Sequence, residues 1–171
     1  MSTPYLFFGV DPGASGAIAA LWTTSRGHVQ GEPSLFLLSD SDDEIASRVM
    51  AEPHTHGDDN WVAKALIESV HAMPKQGVTS SFKFGASFGK VQMLFAAMEV
   101  SRDYIPPQKW QREMGCLSRG DKNVTKRRAQ ELFPGLKITH AVADALLLAE
   151  LCRRRYWASR VADPAAIGAA Q

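Results

Sequence analysis

Tyr5 to Val10 is an unbroken apolar run of aromatic, aliphatic and β-branched side chains that halts at Asp11-Pro12-Gly13. A run of that length closed by a turn signal reads as a buried strand that carries a carboxylate at its end. A buried strand commits the chain to a sheet with cover on its faces, and the following residues begin to supply it. Gly13 and Gly16 permit a tight reversal. Ala17 to Trp22, the turn around Arg26-Gly27 and the stretch Ser34 to Leu38 then predict two further hairpin strands.

Beyond the hairpins the periodicity changes. Asp40 to Ala51 has the acidic start and the Ile45/Val49 spacing of a short amphipathic helix, and residues 52–60 read as a polar loop. Val62 to Val70 resumes a buried strand, with Glu68 near its end where packing alone would not place a charge. Pro74, Gly77 and several Ser and Thr predict a loop over Met73 to Phe84, followed by a helix from Ser87 to Arg102. Phe88, Val91, Met93, Leu94, Phe95, Met98 and Val100 cannot all face one core from that helix, so a contact between subunits is the expected outlet for residues 87–101.

The last third alternates again. Tyr104-Ile105 reads as a short strand, Pro106-Pro107 opens a helix through Met114, and residues 115–123 form a basic, glycine-containing loop. Thr125 to Phe133 is a short helix stopped by Pro134-Gly135, and His140 to Trp157 is a long final one. Strands first, then alternating helices and strands, predict an α/β fold with a mixed sheet and helices on it. At 171 residues this is one domain, expected over residues 1–157, with residues 158–171 as a frayed tail.

Composition narrows the class. With 45% hydrophobic and 22% charged residues the chain is neither disordered nor collagenous, and no apolar run approaches the roughly 20 residues of a membrane span. The expected location is the cytoplasm of a bacterium or of a phage-infected cell, or an organelle if a targeting segment lies outside this sequence. Two cysteines, Cys116 and Cys152, support neither a disulfide framework nor a multi-cysteine zinc site. The net charge of +1 conceals a segregation: residues 40–59 hold seven Asp or Glu against Arg48 alone, whereas residues 102–137 hold nine Lys or Arg against four acids. A cationic second half suits a polyanion, although such charges also make ordinary solvated helix faces.

Three segments thus supply a carboxylate that packing does not require: Asp11, Glu68, and Asp144 in the final helix. His140 and Asp144 are four apart and share a helix face, from which imidazole and carboxylate can address one metal centre. Hard divalent ions such as Mg²⁺ prefer carboxylate oxygens, and two of them can stabilise both oxygens of an in-line phosphodiester displacement. Each residue also has a plainer account. Asp11 suits a turn, Glu68 an exposed strand end, His140 a helix surface, and Asp144 the positive end of a helix.

The ordered set Gly9-Val10-Asp11-Pro12-Gly13 with Ser15-Gly16, then Leu66-Ile67-Glu68, then His140 with Asp144-Ala145-Leu146-Leu147-Leu148-Ala149 resembles the RuvC family of Holliday junction resolvases. Between these anchors, Met73-Pro74-Lys75-Gln76-Gly77-Val78 leading to Phe84-Gly85, Pro106-Pro107-Gln108-Lys109-Trp110, and Leu132-Phe133-Pro134 are similar to the bacteriophage and chloroplast branches. The four-residue spacing of His140 and Asp144 also follows those relatives, where the bacterial branch commonly uses three. The resemblance implies an RNase H-like fold with a five-stranded mixed sheet flanked by helices on both faces, usually as a homodimer.

It further implies a crossover junction endodeoxyribonuclease that makes symmetric paired nicks in four-way junctions and other branched DNA, leaving 5′ phosphate and 3′ hydroxyl ends. Asp11, Glu68, His140 and Asp144 match the family's catalytic, metal-holding positions for two Mg²⁺ per site, with Mn²⁺ as a substitute. Lys122, Lys126, Arg127 and Arg128 match a region placed near the scissile phosphate, and Lys75, Phe82 and Lys83 a loop that reaches the junction centre. Two other classes stay open: a noncatalytic branched-DNA-binding protein of the same fold, and an actin-like nucleotide phosphotransferase opened by the Asp11-Pro12-Gly13 turn. The second would need two related domains, for which 171 residues are too few.

Overall fold

The computed structural model describes residues 3–55, 60–69 and 77–162. Five strands form its sheet: β1 (Tyr5–Asp11), β2 (Ala17–Thr23), β3 (Ser34–Leu37), β4 (Val62–Glu68) and β5 (Ser101–Ile105). They lie in the order β3-β2-β1-β4-β5, with β1 central. β2 runs antiparallel to β1 and to β3, whereas β4 is parallel to β1 and β5 to β4. The hairpins predicted from the turn residues therefore make one half of the sheet, and crossover connections make the other.

Among the described residues five α-helices cover it: α1 (Asp42–Ala51), α2 (Val78–Ala97), α3 (Pro107–Glu113), α4 (Lys122–Leu132) and α5 (His140–Ala162). Strand alternation sorts the core into two layers. Leu6, Phe8 and Val10 of β1, with Ile18, Ala65 and Ile67, pack against Ile45 and Val49 of α1 and Val91 and Phe95 of α2. Tyr5 and Phe7, with Ala19, Leu66 and Ile105, pack on the opposite face against Trp110 of α3, Ala129 of α4 and the apolar side of α5. This is the mixed sheet with helices that the element order predicts, in the five-stranded form covered on both faces that the family resemblance implies. Among the described residues, no helix is long and apolar enough to cross a membrane, and Cys116 and Cys152 are free and buried.

One contact sets the position of α5. A Cβ placed on Gly9 would stand 2.0 Å from the Ala149 nitrogen and 2.1 Å from the Ala145 oxygen, so the α5 backbone lies directly on β1. Only glycine in the strand, opposite small residues in the helix, allows that approach. Buried residues from Val142 to Cys152 then cover most of the circumference of α5.

Several expected boundaries differ. The polar loop expected over residues 52–60 does not hold at its start. Glu52–His54 is a 3-10 turn with Glu52 and Pro53 buried, and Glu52 Oε1 accepts hydrogen bonds from Trp22 Nε1 at 3.0 Å and Ser34 Oγ at 2.8 Å. The strand predicted to reach Val70 ends at Glu68, and α2 starts at Val78 and stops at Ala97 rather than running from Ser87 to Arg102. β5 accordingly spans Ser101–Ile105, three residues longer at its start than expected. α4 starts at Lys122 because the Asp121 side chain caps it, accepting from the Asn123 N–H at 2.9 Å. α5 continues to Ala162, five residues past the expected end at Trp157.

Candidate active site

Asp11 and Glu68 are the last residues of two adjacent parallel strands. Val10 stands opposite Ile67, so the next residue of each strand is a carboxylate at the same edge of the sheet. Alternation directs both to one face. Asp11 follows Tyr5 and Phe7 in parity and Glu68 follows Leu66, all of which belong to the layer beneath α5. Asp144 comes within electrostatic reach of both because Ala145, the next residue, is pinned to β1 at Gly9. Strand register and one helix contact thus assemble three carboxylates from remote stretches of chain.

The turn after β1 shapes the first of them. The Gly13 N–H donates to Asp11 Oδ1 at 3.0 Å, and the Gly16 N–H donates to the Gly13 carbonyl at 2.9 Å. A Cβ on Gly16 would fall 2.1 Å from the Asp11 carbonyl oxygen and 2.9 Å from its Cγ. The reversal therefore closes directly behind the carboxylate, and a side chain at position 16 would displace it.

The electrostatics of the three carboxylates are coupled. Burial pushes the Glu68 carboxyl up to about 7; the charges of Asp11 and Asp144 add to this, while a hydrogen bond from Trp110 Nε1 at 2.8 Å opposes it. Burial likewise raises Asp11, against the Gly13 hydrogen bond and the charge of Lys122. Burial raises Asp144 as well. There a Thr125 hydrogen bond, Lys122 and His140 oppose the shift, and Asp11 reinforces it. Asp144 Oδ1 is buried and has no hydrogen-bond partner among the described residues. A charged oxygen without a donor is costly in such surroundings.

This donor set suits a hard divalent cation in chemistry: carboxylate oxygens, mutual repulsion that a cation would offset, and one buried oxygen without a partner. His140, the exposed first residue of α5, lies one turn before Asp144 and close enough for its charge to act on that carboxylate. Among the described residues, no three His, Cys, Asp or Glu side chains stand close enough together to hold a metal ion between them. The carboxylates are within electrostatic reach of each other rather than gathered around a point.

The basic candidates divide by position. Lys122 opens α4 beside Asp11 and Asp144, and Lys122, Lys126 and Arg127 make no ion pair among the described residues. Arg128 has internal partners: its Nε donates to the Met114 carbonyl at 3.0 Å and it pairs with Glu131 at 2.9 Å. Phe82 and Lys83 are not in a loop, as expected, but in the first turns of α2, where Phe82 is 76% exposed. Phe84 shares that helix and stacks on Phe88 at 6.0 Å. Lys75 lies outside the described residues.

Two residues at the site escape the sequence reading. Trp110 carries a recognisable signal, since Pro106-Pro107 starts a helix and fixes its phase, but nothing local connects an indole to Glu68. Thr125 carries none: a threonine in an amphipathic helix gives no sign of the carboxylate it meets.

No protein-family model matches the chain, and no curated protein does. Among solved structures the chain is similar to RuvC of Thermus thermophilus, at TM-score 0.57 and 14% identity, over 93% of this chain and 97% of that one. It is also similar to T. thermophilus RuvC in complex with Holliday junction substrate, at TM-score 0.54 and 14% identity, over 92% and 95% of the two chains. At that identity the likeness is one of architecture, and the chain has a RuvC-like, RNase H-like fold.

Proposed function

We propose that this chain is a divalent-metal-dependent endodeoxyribonuclease that resolves four-way junctions and related branched DNA by paired nicks. The observation that carries the reading is the convergence of Asp11, Glu68 and Asp144 on one face of the sheet, with their negative charge incompletely offset. The similarity to a RuvC that was solved with a Holliday junction substrate supports the choice of DNA as the polyanion. The finer placement beside bacteriophage and chloroplast relatives rests on the sequence motifs around Met73–Val78, Pro106–Trp110 and Leu132–Pro134.

In this reading Asp11, Glu68 and Asp144 hold the metal, and His140 completes or orients the set. Bound Mg²⁺ or Mn²⁺ would supply charge stabilisation at the scissile phosphate and make a water acidic enough to act as a nucleophile. The reaction is hydrolysis: a water oxygen bonds to phosphorus, the P–O3′ bond breaks, and the 3′ oxygen takes up a proton. Lys122, Lys126 and Arg127 grip the backbone, which contributes affinity and register without base selection. Phe82 and Lys83 extend the contact surface from the start of α2. One site cuts one strand, so symmetric nicking needs two copies of the chain.

A synthetic four-way junction with each strand end-labelled, incubated in Mg²⁺ beside linear duplex, flap and three-way substrates, tests the proposal. The expected result is ligatable nicks at symmetric positions, with Asp11→Asn retaining junction binding and losing at least about a hundredfold in cleavage. Normal cutting by Asp11→Asn would remove the assignment. Binding without cutting by the unaltered protein would favour the noncatalytic alternative, and nucleotide turnover without either would favour the phosphotransferase.

A further inference from the structure

Trp110 is completely buried in α3, and its indole N–H donates to Glu68 Oε2 at 2.8 Å across 42 residues of sequence. The approach is rigid on the indole side. Pro106 and Pro107 start α3 immediately after β5, and both the Lys109 and Trp110 amides bond to the Pro106 carbonyl. Met114 closes the other end by donating to the Trp110 carbonyl, and it too is fully buried. An indole held this way has few alternative orientations, and its N–H requires an acceptor when buried.

The same molecule holds a second buried indole–carboxylate pair, Trp22 with Glu52, that serves for comparison. Trp22 pairs in register with Leu6 near the start of β1, at the opposite end of the sheet from Asp11. Glu52 also accepts from Ser34, and together they tie the turn after α1 to β2 and β3. Glu68 differs on both counts. Among the described residues it has one side-chain donor rather than two, and its neighbours are the carboxylates of Asp11 and Asp144. An indole bond whose purpose was only to fasten α3 to the sheet would gain nothing from an acceptor in that company.

We propose that Trp110 is a positioning residue for Glu68: by occupying Oε2 it fixes the rotation of the carboxylate and leaves Oε1 as the oxygen that engages a divalent cation. The inference rests on the reading of the site as a metal centre. Partners that orient metal-holding carboxylates typically change metal affinity or activity by about 10- to 100-fold when removed.

The test replaces Trp110 by benzothienylalanine, which keeps the shape of the indole and carries sulfur where the N–H stood. Trp110→Phe is the simpler companion variant, and Trp22→Phe is the matched control. Mg²⁺ affinity is measured by calorimetry. Indole N–H resonances of the unaltered protein are followed by proton–nitrogen correlation spectra during a Mg²⁺ titration. The expected result is Mg²⁺ binding weakened about 10- to 100-fold in both Trp110 variants and unchanged in Trp22→Phe. Junction binding in EDTA is unaltered in all three, and only the Trp110 indole resonance, not that of Trp22, moves with Mg²⁺.

An unmoved Trp110 resonance in a protein that binds Mg²⁺ overturns the inference without any variant. So does metal affinity in the benzothienyl protein within about twofold of the original, or an equal loss in Trp22→Phe. If the unaltered protein binds no Mg²⁺ and cuts no junction, the functional reading fails and takes this inference with it, an outcome distinct from the others.

Discussion

Glu68 is the residue where the cost of a charged site is largest. Its strand neighbours Leu66 and Ile67 are buried, it is itself 9% exposed, and two other carboxylates act on it. A carboxyl held near 7 in the folded protein binds its proton more tightly there than in the unfolded chain, whose glutamates titrate near 4.5. Folding is therefore favoured at the acid end of that window, and the contribution is lost as pH rises toward the folded value. In EDTA the chain should lose up to about 3 kcal/mol of stability from this group between about pH 5 and about pH 8, and Glu68→Gln should flatten that slope. Urea unfolding at several pH values reads it directly. A slope unchanged by Glu68→Gln would mean that the charge is offset in a way the burial of Glu68 does not suggest. Added Mg²⁺ should act in the opposite sense, stabilising more as pH rises, because a carboxylate must be deprotonated to hold it.

At the scale of elements, the contact between α5 and β1 decides whether the site exists. Gly9 has no room for a Cβ, because the atoms it would meet are backbone of α5 rather than a movable side chain tip. Gly9→Ala should cost about 3 kcal/mol or more in denaturant unfolding, and it should weaken Mg²⁺ binding by shifting Asp144 away from Asp11. A variant as stable as the original would show that α5 does not rest where this contact puts it. Helix boundaries follow a different logic. Gly77 caps α2 without a side-chain hydrogen bond, and Gly85 and Gly89 lie inside the helix, so local propensity through Phe84 argues against the helix that tertiary packing imposes. Only Val91 and Phe95 of α2 are buried, which explains why no apolar period announces its first half. The sequence reading starts α4 at Thr125, three residues late, although Asp121, directly before Lys122, is a cap residue whose signal the glycine and charges around it obscure.

At the scale of the whole molecule, the apolar surface that is left over bears on assembly. α1 and α2 enclose an open groove of about 410 Å³ whose lining includes Leu38, Ile45, Met50 and Leu94, and Met93 beside it is 70% exposed. The subunit contact expected for residues 87–101 falls on this side, and we propose it as the surface between two copies. Met93→Glu should leave folding within about 0.5 kcal/mol, shift the sedimenting species toward monomer and turn paired nicks into single ones. A protein that sediments as a monomer before the substitution would rule that assignment out. The sequence by itself determined the order and type of most elements, because apolar period, turn residues and caps act within a few residues of one another. It also put Asp11 at the end of one buried strand and Glu68 near the end of another, and set His140 and Asp144 on one helix face. Only the tertiary structure decided that β1 and β4 run parallel in a register that sets Asp11 beside Glu68, that α5 touches β1 at Gly9, and that Trp110 meets Glu68. The physical reason is that register, close approach and desolvation are set by groups tens of residues apart, which no local pattern relates to each other.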